Sequence, residues 1–319
     1  ETLPSAPGET GGHFYEHTSS YWQEWVRSLA IPFEWQEAVI RAAITLKLNT
    51  FEDTGAVIAA ATTSIPEAPD SGRTWDYRHC WLRDSYFVIN ALNRLGATRT
   101  MENYVHFIIN TIASNNEQGL RPVYRINGRA DLHETVAAGL PGYRGMGPVR
   151  VGNQAYEQQQ NDVYGSAILA SAHLFFDERL HRRGDVSMFR RLEALGEQAV
   201  AVYRQPDAGP WEFRGFAKVH TFSATICWAA ARVLATIAEQ LGLRERAEYW
   251  QGQAAEMGAV IRREAWNDSL QSYVASFGGD DFDASIMLLY EWGFLKPDDP
   301  RLASTVEAVG KALLNGDFL

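Results

Sequence analysis

Apolar and polar residues follow one another along this chain with a helical period. In the stretch 34–49 the apolar side chains fall at Trp35, Ala38, Val39, Ala42, Ala43 and Leu46. That is the i, i+3, i+4, i+7 stripe of an amphipathic helix. The same spacing predicts helices over 84–95, 100–115, 153–181, 186–204, 221–240, 244–265, 282–292 and 300–314. Only short pieces, 56–61 and 123–126, read as strands. Asp84 and Ser85 stand where the helix over 84–95 could be capped, and Gly96 stands at its C′ position. One stretch breaks the two-faced pattern: 224–238, ATICWAAARVLATIA, is apolar nearly all round. A helix buried on every side belongs beneath a second layer of helices. The pattern therefore predicts an all-α fold of concentric helices, with 221–240 and 282–292 inside and 244–265 outside.

The polar start ETLPSAPGETGG makes residues 1–20 a flexible lead-in. Two long connections, 50–83 and 115–152, are rich in Arg, Asp, Gly and aromatic residues. Long ordered loops in a compact domain usually carry function.

Composition narrows the classes. The chain has 319 residues, of which 46% are hydrophobic and 21% charged, the balance of a globular protein. Ten Trp and thirteen Tyr supply flat platforms of the kind on which sugars and bases rest. A net charge of −10 argues against nucleic acid or an anionic membrane as partner. No apolar run reads as a membrane span and no leader is evident, so a cytoplasmic location is expected. Cys80 and Cys227 read as buried thiols, since two are too few for a disulfide scaffold. No metal-ligand spacing, phosphate loop or nucleophile triad can be assembled, and neither metal nor cofactor is expected.

Four stretches gather the remaining chemistry: TWDYRHCWLRDS at 74–85, LPGYRGMGPVRVGNQAYEQQQNDVYG at 140–165, PWEFRG at 210–215 and GGDDFDAS at 278–285. Each lies at a helix end and joins carboxylates to Arg or amide side chains. Brought to one rim, they would make a polar pocket walled by Trp and Tyr, suited to a neutral polyhydroxylated ligand. Hydrolysis of a glycosidic bond needs one protonated and one ionised carboxyl. Glu212 is the candidate acid. Its neighbours Trp211 and Phe213 favour the protonated form and Arg214 the ionised one, and a plain surface Glu is the competing reading. Arg83 with Asp84 could equally be an ion pair at a helix start, Asp162 a cap, and Asp281 and Asp283 helix-dipole partners. His220 reads as structural. Gln158, Gln159, Gln160 and Asn161 make a plausible binding edge beside Asp162.

Taken together, TLKLNTFEDTGAVIAAATTSIPE, WDYRHCWLRD, LPGYRGMGPVRVGN, WEFRG and DDFDAS followed by GFLKPDDPR resemble the bacterial family 15 glycoside hydrolases, which are glucoamylase-like or trehalase-like. The resemblance runs over 21–319. It implies an (α/α)6 barrel with its site in the mouth of the inner ring, and an inverting, exo-acting α-glucoside hydrolase without a cofactor. The implied substrate is an α-glucan, maltooligosaccharide or isomaltoside. A trehalase, or a glucoamylase-like domain that binds sugar without turnover, is the alternative. Glu212 matches the general acid, and Arg83 and Asp84 match the pair that grips the non-reducing glucose. Trp75, Tyr77 and Trp81 match the aromatic wall, with Asn153, Asp162, Trp211, Arg214 and Asp283 as further contacts. The family's β-sandwich has no counterpart here, and Ser223-Ala224 stands where members often have Ser-Lys. The general base is expected beyond Leu319, in a barrel truncated before its last helices.

Overall fold

The computed structural model describes residues 6–114, 119–181 and 183–318. Among these, ten α-helices follow in order: α1 Pro7–Arg27, α2 Gln36–Leu48, α3 Leu82–Arg94, α4 Thr98–Ser114, α5 Asp162–Phe176, α6 Val186–Val202, α7 Thr221–Gln240, α8 Arg244–Glu264, α9 Leu288–Glu291 and α10 Pro300–Leu313. Three two-stranded antiparallel ribbons stitch the loops. They pair β1 Cys80–Trp81 with β2 Val123–Tyr124, β3 Thr135–Val136 with β4 Arg150–Val151, and β5 Trp266–Asn267 with β6 Ser272–Tyr273.

The helices form two layers. α3, α5 and α7 pack side by side, and α4, α6 and α8 lie against the seams between them and along the outer face of α7. Inside and outside differ as the apolar pattern requires. α5 and α7 are buried along almost their whole length. α8 buries one stripe that includes Ala247, Trp250, Ala254, Met257 and Ile261, and leaves the rest to solvent. The close approach of α5 and α7 depends on Gly165, where a Cβ would stand 2.7 Å from the carbonyl oxygen of Ile226. By length and composition α7 could cross a membrane, contrary to the reading of the sequence, but it is the core helix, with 83% of its most apolar window buried in protein.

Four local expectations change. Residues 1–20, expected as a flexible lead-in, are helical from Pro7, which takes the first helical position where its missing N–H is no loss. The helix predicted over 84–95 starts at Leu82, because β1 pairs with β2 and Leu82 N then donates to Pro122 O. Asp84 and Ser85 therefore sit within its first turn, and Gly96 closes it at φ +81° as expected. The helix predicted over 153–181 is broken. Asn153 Oδ1 accepts from Ala155 N and caps a short 3₁₀ turn, Gln154–Glu157, after which Gln158 is extended and α5 begins only at Asp162. The inner helix predicted over 282–292 shrinks to a 3₁₀ turn, Ala284–Met287, capped by Asp283 and continued as α9 against α7.

Candidate active site

The first turn of α3 places Arg83 and Asp84 at the mouth of the inner layer. The buried face of α3 carries Leu82, Ser85, Tyr86, Ile89 and Leu92, so Arg83, Asp84, Phe87 and Val88 turn to a cleft of about 770 Å³. The far wall comes from the loop between α6 and α7. Its base is tied down by Asp207, whose Oδ2 accepts from Asn161 N and Ser223 Oγ, both at 2.8 Å. Its tip turns back on itself with Gly209 at φ +68° and Glu212 at φ +55°. Gly209 has no alternative, because a Cβ would meet the His220 ring at 2.6 Å. The left-handed Glu212 is an uncommon conformation for a residue with a side chain.

Glu212 enters a ring of donors. Its Oε1 accepts from Trp81 Nε1 at 2.6 Å, from Arg83 Nη2 at 3.0 Å and from Gln160 Nε2 at 3.0 Å. Its backbone oxygen accepts from Gln158 Nε2. Trp211 and Phe213, expected to shield this carboxyl, are themselves exposed. Trp81 and Gln160, both buried, cover it instead. Arg214 is not its charged partner either: it is held by Glu134 at 2.8 Å, and Arg83 takes that place.

Arg83 also reaches Asp162 at 3.3 Å and Asp84 at 3.7 Å. Burial works against its charge, but Asp162, Asp84 and Glu212 outweigh it and raise its pKa. Asp84 keeps 44% of its side-chain surface open to the cleft while protein encloses it on the other sides. That enclosure, together with the charge of Glu212, pushes its carboxyl up against the pull of Arg83.

Glu212 also stands between two cavities. The large cleft is lined by Tyr77, Trp81, Arg83, Asp84, Phe87 and Trp211 among others. A second cavity of about 430 Å³ is lined by Arg73, Trp75, Tyr77, Asn153, Trp211 and Arg214. Glu67, Arg73, Tyr77, Trp211 and Glu212 border both. Tyr77 donates to Glu67 at 3.0 Å and leans against Trp81, ring centres 5.9 Å apart.

Of the residues named from sequence as sugar contacts, Asp162 and Asp283 line neither cavity, and Trp75 and Asn153 border only the smaller one. Asp162 is fully buried behind Arg83 and does not reach the cleft; burial pushes its carboxyl up, against the pull of Arg83. Asp283 is engaged by Ser285 N and Trp211 Nε1, capping a turn and pinning the indole. Trp75 borders the smaller cavity, but its ring already carries Arg214 at 4.1 Å and Arg150 at 4.9 Å. Asn153 is buried, and its amide donates to Asp76 O. Sequence reasoning left Gln158 and Gln160 as a general binding edge and passed over Glu67 and Arg73. The signal for the first two was the polar run QQQND inside the helical stretch predicted over 153–181. Among the described residues no group of three or more His, Cys, Asp or Glu could hold a metal ion.

Residues 35–319 match the model of glycosyl hydrolases family 15. The chain belongs to that family. Within it, a trehalase of Mycobacterium tuberculosis is 37% identical over 93% of this chain and 43% of its own length. A trehalase of Thermoplasma acidophilum is 30% identical over 95% of this chain and 51% of its own. The chain thus spans about half the length of the curated relatives it matches. Among solved structures, a wild-type glycosidase superposes with TM-score 0.66 at 18% identity, over 86% of this chain and 69% of its own. A bacterial glucoamylase complexed with acarbose gives 0.64 at 16% identity, over 91% and 42%. The family 15 chain is therefore all-α with the helical double layer of the glucoamylase-like (α/α)6 barrel, as the sequence led one to expect.

Proposed function

We propose that the protein to which this chain belongs is an inverting α-glucoside hydrolase and that its substrate is trehalose. The observation that carries the choice is the relatives: proteins named trehalase are 30–37% identical over more than nine-tenths of the chain. The expectation of a glucoamylase acting on α-glucans gives way to its trehalase alternative. The site is compatible with a disaccharide, since Glu212 borders two adjoining cavities and its carboxyl would lie beside the bond joining two glucosyl units.

The large cleft takes the sugar whose anomeric carbon reacts. Arg83 and Asp84 meet its hydroxyls, and Tyr77 with Trp81 flanks it. Glu212 protonates the glycosidic oxygen. Oε1 accepts three N–H groups, so the proton is carried on Oε2, toward the substrate. Water activated by a second carboxylate attacks the opposite face. Glu67 and Asp84, which also line the cleft, are engaged by Arg73 and Arg83. The family resemblance puts the base beyond Leu319.

Glucose release by the full-length protein from trehalose, maltose, isomaltose and dextrin tests the reading. Trehalose should be the best substrate; hydrolysis of maltose without trehalose returns the glucoamylase reading. Glu212→Gln should lower kcat on trehalose by about 10²–10⁴-fold. The loss should be much smaller on glucosyl fluoride, whose leaving group needs little protonation. Equal losses on both would show that Glu212 is not the acid.

A further inference from the structure

The break between the 3₁₀ turn and α5 delivers one side chain to the centre of the site. Gln160 is buried, 4% exposed. Its Oε1 accepts from Arg83 Nη1 at 2.8 Å. Its Nε2 donates to Glu212 Oε1 and to Gln158 Oε1, both at 3.0 Å. Chemistry fixes this amide's orientation: flipped, it would set N–H against the guanidinium N–H and oxygen against two oxygens. Gln158 in turn donates to the backbone oxygen of Glu212 at 3.2 Å, beside the left-handed turn. The loop that bears the carboxyl is thus held at two points by one pair of amides.

We propose that Gln160 is the positioning residue of the acid, a neutral bridge from Arg83 that turns Glu212 so that only Oε2 can give up a proton. The inference rests on the reading of Glu212 as the acid. Its physical core is which groups surround Oε1. An indole, a guanidinium and a primary amide all donate, and none takes up or releases a proton near neutral pH. The amide holds Oε1 in place by donating to it and neither takes nor supplies a proton itself. The only exit for that proton is therefore toward the substrate. A carboxylate in place of the amide would still accept from Arg83. It could not donate to Glu212, and two carboxyls about 3 Å apart would share one proton, raising one pKa strongly. The other charged or titratable groups around Glu212 are Arg83 and Asp84 from α3, Asp162 from α5, and Tyr77, Glu67 and Arg73 from the loop before β1, the last three sharing both cavities with it. Of these only Arg83 bonds to Gln160, and Gln160→Glu keeps an acceptor for it.

Two variants of the full-length protein test this, with trehalose and glucosyl fluoride as substrates and Glu212→Gln assayed beside them. Gln160→Glu should move the alkaline limb of the kcat/KM profile upward by about 1 pH unit or more. Gln160→Met, similar in length but without hydrogen bonds, should lower kcat on trehalose by roughly 10–100-fold, with KM changing far less. Its loss on glucosyl fluoride should be smaller. A role in stability alone would lower Tm, leave the limb unmoved and cost both substrates equally, and that result overturns the proposal. If Gln160→Glu does not fold, the substrate comparison with Gln160→Met decides in the same way. When Glu212→Gln spares the fluoride but the Gln160 variants show neither effect, only this inference falls. When Glu212→Gln loses both substrates equally, the reading of the acid falls and takes this one with it.

Discussion

Arg83 touches three carboxylates and an amide from a depth at which its own charge is poorly hydrated. Such a residue is stable only as part of its network, and the most open member of that network is Asp84. Asp84→Ala removes a charged acceptor for a sugar hydroxyl, a loss of about 1.5–3 kcal/mol in binding. Calorimetry with glucose, backed by turnover on trehalose, reads the effect; unchanged values in both would take Asp84 out of the site. At this scale the sequence was legible wherever composition was odd. Aromatic rings and opposite charges packed into TWDYRHCWLRDS have few uses other than a binding wall, and Arg83, Asp84, Tyr77 and Trp81 all border the large cleft. It was less legible where the residue type was right but the direction was unknown. Asp162 lies on the buried face of α5, and no spacing distinguishes a carboxylate that faces a ligand from one that backs an arginine. Gln160 is a mild residue in a polar run, and its importance comes from partners 77 and 52 positions away.

Among the elements, long apolar helices could be read almost residue by residue. The helix predicted over 221–240 is α7, Thr221–Gln240, because burial on nearly all sides leaves Arg232 as its one charged residue before the last turn. Breaks within helical-looking stretches were not legible. The pattern over 153–181 continues through an interruption made by the Asn153 cap and the extended Gln158, a local choice stabilised by tertiary bonds to Glu212. Helix packing gives a prediction of its own. Gly165→Ala puts a methyl against the Ile226 carbonyl, a backbone group that cannot swing aside, and should destabilise the fold by about 1–3 kcal/mol. Thermal unfolding measures this, and an unaltered Tm would mean that α5 and α7 can separate freely.

For the whole molecule, the point of interest is a carboxyl that is not in the cleft. Burial pushes Asp207 from its ordinary 3.8 to about 7, against the N–H of Asn161 and the Ser223 hydroxyl. A carboxyl raised in the folded state binds its proton more tightly there than in the unfolded chain. Its stabilising effect is therefore complete below about pH 4 and is lost as pH rises through about 7. Asp207→Asn keeps an acceptor and cannot ionise. The difference in Tm between variant and wild type should accordingly shift in favour of the variant between pH 5 and pH 8. A constant difference across that range would show that Asp207 does not titrate there.

The same helix that makes the core easy to read also sets a condition on biosynthesis. α7 is made before α8, and until α8 follows it a nascent chain carries an apolar segment of 20 residues with one side uncovered. α5 and α6 have already been synthesised and can receive one side at once. Elongation through the 21 residues of α8 takes about 1–4 s at 5–20 residues per second. For that interval the chain exposes a segment with the length and apolarity of a membrane span. The short link between the two helices, Leu241, Gly242 and Leu243, keeps the interval near that minimum.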